Sequence, residues 1–203
     1  MFVVFEGVDG SGTTTLCANY AAHLRIQTGR TVWETREPSQ GPIGVLIRHA
    51  LRKEVKLNQE TMALLFAADR VDHVDTIRKE LAAGTVVLCD RYDMSSIAYQ
   101  TEALDWKGSG NAFDWVRTLN RFAIRPDITL VLDVTPEEAE RRRSLRKEAP
   151  EMYEYSDLQR RLCARYARAE GMLPEDRIVT IDANKSIAEV FNSIRSILDP
   201  LFD

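Results

Sequence analysis

The sequence lacks any apolar run long enough to span a bilayer, and no signal-peptide pattern precedes its first apolar stretch. It also lacks a basic excess, since 27 Lys and Arg residues stand against 31 Asp and Glu residues, giving a formal net charge of −4. A protein that binds nucleic-acid polymers or anionic membranes needs a basic surface, so neither is expected as a partner. We expect a cytoplasmic protein whose local basic clusters can still bind small anions.

Cysteine is scarce and unevenly placed. The cysteines are Cys17, Cys89 and Cys163. Their odd number and their lack of metal-ligand spacing argue against a disulfide framework or a cysteine-ligated metal. Cys17 and Cys89 lie in apolar contexts, which predicts buried free thiols in a reducing compartment. The three histidines form no ligand pattern, and we expect all of them at the surface.

The most informative stretch is the N-terminus, which reads MFVVFEGVDGSGTTT. Residues 2–5 form an unbroken apolar run of β-branched and aromatic side chains, which is typical of a strand buried on both faces. Three glycines follow, and from Thr13 onwards the apolar residues recur at helical spacing. The predicted order is therefore strand, glycine loop and helix.

A glycine loop in this order can bind phosphate, because its backbone N–H groups converge in front of the positive end of the helix. The pattern G-x-x-x-x-G-K-[ST] is matched by Gly7, Gly12 and Thr14, but Thr13 stands where the pattern has lysine. Taken alone, the loop is either a P-loop without its lysine or an ordinary strand-to-helix turn.

A dinucleotide-binding fingerprint, G-x-G-x-x-G, is the other motif that this loop could represent. Gly10 and Gly12 begin that pattern, but Thr15 holds its last position. Glu34 or Glu37, near the end of a second predicted strand, could serve as the acid for a ribose. The distribution of polar residues further along the chain favours phosphate transfer.

Strands alternate with helices along the rest of the chain, which predicts one α/β domain over residues 1–203. The sheet should be parallel, with about five strands and with helices on both faces. The predicted strands are residues 2–5, 31–35, 85–89, 128–134 and 178–181. Polar groups follow these strands at Asp9, Arg36, Asp90, Arg91 and Asp182, and they should gather at the carboxyl edge, where such sheets bind ligands.

Several short motifs, in a constant order, resemble the thymidylate kinase family. They are TREP at 35–38, FAADR at 66–70, DRY at 90–92, AYQ at 98–100, LDVTPE at 132–137 and IDANKSI at 181–187. The resemblance covers almost the whole chain. It implies a P-loop NTPase fold with a short lid at about residues 142–155, transfer of phosphate from ATP to dTMP with Mg²⁺, and a homodimer.

The resemblance also implies the site residues. The catalytic residues would be Asp9, Arg36 and Arg91. ATP would be bound by Gly7, Val8, Asp9, Gly10, Ser11, Gly12, Thr13, Thr14, Thr15, Arg146, Lys147 and Asn184. The dTMP would be bound by Asp9, Arg36, Phe66, Arg70, Arg91, Ser96, Tyr99 and Gln100. Mg²⁺ would be held by Thr14 and Asp90.

Each implied role has a physical reason. Arg36 can present its guanidinium fork to the acceptor phosphate, and Asp90 can assist Mg²⁺ through water. Phe66 would stack on thymine, although its helical spacing with neighbouring apolar residues also suits a core position. Tyr99 would crowd a ribose 2′-hydroxyl. The arginine-rich stretch at 141–147 either leads into the lid or forms a solvated helix face.

Two positions depart from the family pattern, and both would remove a cation. Thr13 replaces the P-loop lysine, and Met152 stands where an arginine is common. One unit charge at ~4 Å with an effective dielectric of ~20 is worth about 4 kcal/mol, or roughly three powers of ten in rate.

Three functions therefore remain open. The first is an active thymidylate kinase in which Arg91, Arg36, Arg146 and Lys147 supply the missing charge. The second is a nucleotide-binding homologue with little catalysis, which acts as a sensor or interaction module. The third is a nucleoside monophosphate kinase with a different acceptor.

Overall fold

The computed structural model describes residues 1–104, 111–145 and 151–202. Its sheet has five strands in the order β2-β3-β1-β4-β5, and every neighbouring pair is parallel. The strands are β1 Phe2–Glu6, β2 Val32–Arg36, β3 Val86–Asp90, β4 Ile128–Asp133 and β5 Ile178–Asp182. The predicted α/β fold with a parallel sheet is therefore confirmed.

Helices connect the strands. They are α1 Thr13–Thr28, α2 Pro42–Leu51, α3 Gln59–Ala82, α4 Asp93–Ala103, α5 Ala112–Leu119, α6 Pro136–Ser144, α7 Ser156–Tyr166 and α8 Ile187–Leu198, with short 3₁₀ turns at Ala169–Gly171 and Asp199–Leu201. Side-chain caps begin several of them: Asn58 accepts from the Thr61 N–H, and Ser186 forms a capping box with Glu189. Across the described ranges, no helix combines the length and the hydropathy needed to cross a bilayer.

Strand β1 is the centre of the molecule, and all five of its residues are buried. Successive side chains of a strand point to opposite faces. Val3 and Phe5 accordingly belong to one buried cluster, and Phe2 and Val4 belong to another. The sheet is thus covered on both faces. The edge strand β2 (VWETR) differs from the expected continuous apolar run, because several of its side chains are partly or fully exposed.

Two local expectations need correction. The sequence pattern suggests two helical pieces between residues 58 and 84, but α3 is one helix of 24 residues. Its polar residues in the middle do not break it, because several of them face solvent. His73 is not at the surface; it is 6% exposed and bonded to Thr35 and Glu37. The three cysteines are free and buried, as predicted for Cys17 and Cys89.

Candidate active site

The glycine loop lies between β1 and α1, next to the carboxyl ends of β3 and β4. Gly10 has φ 93°, and a Cβ atom there would lie 2.5 Å from the carbonyl oxygen of Ala139. Glycine is therefore required at this position for both conformation and space. The close approach also brings α6 against the loop, and this contact decides which arginines reach it.

Helix α1 begins at Thr13 without a side-chain cap, after Gly12 in the left-handed conformation with φ 101°. The N–H groups of a first turn have no partner within the helix, so this helix start is suited to an anion. The Thr14 and Thr15 side chains are exposed, whereas Thr13 is 5% exposed. Thr13 therefore contributes mainly its backbone to the loop.

A cleft of about 1470 Å³ opens in front of this helix start. Most of the predicted side chains line it, and they come from β2, α1, α3, α4 and the strand ends. They are Asp9, Thr14, Thr15, Arg36, Phe66, Arg70, Asp90, Arg91, Ser96, Tyr99 and Gln100. The structure thus brings together the residues that the sequence places at the ends of separate strands and on two helices.

Other predicted residues lie elsewhere. Arg146 and Lys147 are outside the described residues. Asn184 is exposed in the turn after β5, where its side chain accepts from the Thr135 N–H at 2.9 Å. Asp182, the strand-end acid of β5, bonds to Asn184 and is not among the described residues that line the cleft. Carboxylates at the strand ends therefore do not all converge.

Asp9 and Arg91 form an ion pair at the centre of the cleft, with 2.6 Å between Arg91 Nη2 and Asp9 Oδ1. Arg91 Nη1 also donates to the carbonyl oxygen of Gly7 at 2.8 Å. The Tyr99 hydroxyl donates to Asp9 Oδ2 at 3.1 Å and accepts from the Asp9 N–H. Arg91 adopts φ 69°, a conformation uncommon outside glycine. The pair fixes the direction of both side chains beside the loop.

Glu6, the last residue of β1, is bonded to the segment that follows Arg91. Its carboxylate accepts from the N–H groups of Tyr92 and Ser95, and from the hydroxyls of Ser95 and Tyr166. Burial raises the pKa of Glu6 to about 7, because the charged form loses its hydration. Glu6 thereby anchors the start of α4, which carries Ser96, Tyr99 and Gln100 into the cleft.

Arg70 forms the floor of the acceptor end of the cleft and is only 2% exposed. It pairs with Glu37 at 2.6 Å, and donates to Ser96, Asn120 and the carbonyl oxygen of Tyr92. Its Nε–H has no hydrogen-bond partner among the described residues. Glu37 is therefore committed to Arg70, which removes it as a candidate acid for a ribose in the dinucleotide alternative.

Thr14 and Asp90 are suited to a divalent cation. The Thr14 hydroxyl donates to Asp90 Oδ2 at 2.5 Å, and the buried Oδ1 atom of Asp90 has no partner among the described residues. Hydroxyl, carboxylate and water oxygens are the ligands that Mg²⁺ prefers. The residues present therefore fit the ion that the sequence implied.

Sequence reasoning missed three side chains at this site: Arg142, Arg143 and Gln159. Arg142 donates to the carbonyl oxygens of Gly10, Ser11, Ala183 and Lys185, and pairs with Glu138. Arg143 donates to the Asp9 carbonyl oxygen, and Gln159 donates to Asp9 Oδ2. The arginine-rich stretch was the signal, but only the packing of α6 on the loop shows which of its members face inward.

Met152, one of the two departures from the family pattern, is partly buried against the main core cluster. Its backbone N–H donates to the Leu51 carbonyl oxygen at 2.9 Å, which ties this segment to the end of α2. It is not among the described residues that line the cleft. Position 152 thus contributes packing in this chain.

The five-stranded parallel sheet, the glycine loop opening α1 and the arginine-lined cleft define a P-loop nucleotide-binding protein. Comparisons with known proteins assign it more narrowly. The family model for thymidylate kinase matches residues 5–194. The chain belongs to the thymidylate kinase family.

Individual relatives agree with this family. A probable thymidylate kinase of Thermococcus kodakarensis is 39% identical, over 99% of this chain and 98% of its own length. One of Methanocaldococcus jannaschii is 37% identical, over 96% of this chain and 93% of its own length. A thymidylate kinase of Thermomicrobium roseum is 46% identical over a shorter match, which covers 67% of this chain and 64% of its own length.

Proposed function

We propose that this protein transfers the γ-phosphoryl group of ATP to dTMP, giving dTDP and ADP. The observation that carries the proposal is a single cleft that joins the start of α1 to a pocket lined by Arg36, Phe66 and Arg70. A phosphoryl transfer needs donor and acceptor phosphates held in line in one site. The identity of the two nucleotides, ATP and dTMP, is taken from the family match.

On the donor side, the loop backbone from Gly7 to Gly12 and the first turn of α1 hold the ATP phosphates through N–H groups. Asn184 and its neighbours in the turn after β5 lie beside the adenine, mainly through their backbone. The family resemblance also assigns the ATP phosphates to Arg146 and Lys147, which lie outside the described residues. These assignments follow the family resemblance, and the exposed helix start supports the first of them.

On the acceptor side, Phe66 stacks on thymine while its other edge packs on the core. Arg36 takes the dTMP phosphate, since it is exposed at the end of β2 and has no ion-pair partner among the described residues. Arg70, Ser96 and Gln100 bind the base end. Arg70 has its Nε–H and Gln100 its Oε1 still without partners in the described part of the chain.

Asp9 and Arg91 lie between the two halves, and they orient the acceptor sugar and phosphate against the loop. Tyr99 packs on the guanidinium of Arg91, with its ring 5.3 Å away, and crowds a 2′-hydroxyl. Thr14 and Asp90 hold Mg²⁺. Mg²⁺ bound there would supply positive charge against the negative charge that develops on the phosphate oxygens.

Two further proposals concern the chain as a whole. We propose that Thr13 occupies the position at which the P-loop pattern has lysine. We also propose that the protein works as a cytoplasmic homodimer. Exposed apolar side chains on α2 and α3 support the dimer: Val45, Leu46, Leu64 and Val71 are 39–50% exposed. Sedimentation velocity should give twice the mass of the chain, and a monomer at all concentrations would contradict the dimer.

The test of function is a coupled ADP-release assay with ATP, Mg²⁺ and each of dTMP, dUMP, dGMP and dCMP. We expect turnover with dTMP above the others. Turnover only with another nucleotide would show a changed acceptor. Calorimetric binding of ATP and dTMP without turnover would show a nucleotide-binding homologue.

A further inference from the structure

We infer that Arg143 supplies the positive charge that a lysine at position 13 would give to the transferred phosphoryl group. This inference rests on the proposed function. It concerns a residue on α6, in a stretch whose charge pattern also suits a solvated helix face. The cations that the sequence suggested for this role were Arg91, Arg36, Arg146 and Lys147.

Two contacts hold Arg143 beside the phosphate loop, one with the loop itself and one with Gln159 on α7. Its Nη1 donates to the carbonyl oxygen of Asp9 at 2.6 Å and to Gln159 Oε1 at 3.3 Å. Its side chain also lines the same cleft as Thr14, Thr15 and Arg36. The guanidinium therefore lies at the edge of the loop and in reach of an anion bound there.

Gln159 fixes the orientation of this guanidinium. Its Nε2 donates to Asp9 Oδ2 at 3.2 Å and to the Tyr153 carbonyl oxygen at 2.8 Å, and the residue is 1% exposed. Both donor positions are used, so the amide oxygen must face Arg143. A buried amide held at both ends is a rigid support for a charged side chain.

Ion pairing distinguishes Arg143 from three of the other arginines that line the cleft. Arg91 is neutralised by Asp9, Arg70 by Glu37 and Arg52 by Glu54. Within the described ranges, Arg143 contacts only neutral oxygen atoms and no carboxylate. A partly buried guanidinium without a counter-ion favours an anion in front of it. Arg36 and Arg48 share this property, since Arg48 donates only to the carbonyl oxygens of Pro38 and Ser39. They lie on β2 and α2, and among the described residues neither contacts the glycine loop.

Arg142, the adjacent residue, shows the contrast. It is paired with Glu138 at 2.7 Å, and its Nη1 and Nη2 groups donate to four carbonyl oxygens of the loop and of the turn after β5. It is not among the described residues that line the cleft. Arg142 therefore braces the loop, while Arg143 retains a net charge toward the cleft.

The test is a set of variants: Arg143→Ala, Arg143→Lys, Thr13→Lys and the double variant Thr13→Lys/Arg143→Ala. We expect Arg143→Ala to lower kcat with dTMP about 100-fold or more and to change KM for dTMP little, because the lost contact acts on the transferred group. Arg143→Lys should retain much of the rate. Thr13→Lys should restore the rate far more in the Arg143→Ala protein than it raises it in the parent.

The matched control is Arg141→Ala, which removes an arginine from the same helix. The Arg141 side chain is 62% exposed and pairs with Glu138, so we expect no change in kcat. Melting temperatures of all variants show whether each one folds. Retention of the parental rate in folded Arg143→Ala, or equal gains from Thr13→Lys in both backgrounds, would overturn the inference.

A second readout separates this inference from the proposed function. Calorimetry with ATP and with ADP, in the presence of Mg²⁺, needs no turnover. Arg143→Ala should weaken ATP at least about tenfold more than ADP, because the lost charge faces the terminal phosphate. If the parent protein has no dTMP kinase activity but shows this ATP-selective loss, the proposed function fails, while the contact of Arg143 with the terminal phosphate of ATP stands. Equal losses for ATP and ADP would contradict the assignment.

Discussion

Glu6 makes the stability of this protein depend on pH, and the sign follows from its raised pKa. The carboxyl has an ordinary value of 4.5 and a value of about 7 in the folded chain, where burial disfavours its charge. Between these values the folded state keeps a proton that the unfolded state has released. The free energy of unfolding therefore falls as pH rises through this window, and the contribution is fully present only below pH 4.5.

The magnitude is set by that window. One pH unit corresponds to about 1.4 kcal/mol, so the contribution of Glu6 falls by about 3 kcal/mol between pH 4.5 and pH 7. Glu6 also accepts hydrogen bonds from the Tyr92 N–H and the Ser95 hydroxyl, and these bonds favour its charged form and limit the rise in its pKa. The same residue thus links stability to the geometry of the cleft.

Urea unfolding at pH 5 and pH 7.5, on the parent and on Glu6→Gln, measures the effect. Glutamine does not titrate, so the parent should lose about 2–3 kcal/mol more than the variant over this range. Glu170→Gln, at an exposed carboxyl in a 3₁₀ turn, serves as the control and should keep the parental slope. Equal pH slopes for the parent and Glu6→Gln would refute the reasoning.

Three further predictions concern the cleft. Arg91→Ala should lower kcat with dTMP about 10³-fold, because it leaves the Asp9 carboxylate without its ion-pair partner beside the loop, whereas the exposed Arg78→Ala should not; near-parental activity in Arg91→Ala would exclude this role. Tyr99→Phe should raise KM for dTMP about tenfold, because the Asp9 carboxylate loses the hydrogen bond from the Tyr99 hydroxyl; an unchanged KM would count against it. Asp90→Asn should raise the Mg²⁺ concentration for half-maximal rate about tenfold, and an unaltered Mg²⁺ titration would remove Asp90 from the metal site.

The local sequence pattern was enough to predict the sheet and a group of polar residues at its carboxyl edge. Apolar runs mark the strands, and in a parallel sheet their carboxyl ends share one edge. Asp9, Arg36, Asp90, Arg91 and Asp182 could therefore be grouped without coordinates. The first four line the cleft, whereas Asp182 is not among its described lining residues. The unbroken course of α3 was harder to predict, because tertiary packing outweighs the weak helical periodicity of its middle.

Contacts between distant segments could not be predicted in the same way. Arg142 and Arg143 look alike in the sequence, and their different partners depend on how Ala139 packs on Gly10. His73 has no ligand motif, yet it is buried because α3 lies beside Thr35 and Glu37. Such contacts are set by the relative placement of elements, and local patterns carry no information about it.

One cleft that holds both nucleotides at once is the central claim, and a bisubstrate analogue tests it most directly. The analogue joins adenosine to thymidine through a phosphate chain long enough to place both nucleosides in their sites. We predict that it inhibits ADP release competitively with both ATP and dTMP, and that it binds more tightly than either nucleotide alone. Competition with only one nucleotide, or binding no tighter than that of ATP, would contradict a shared cleft.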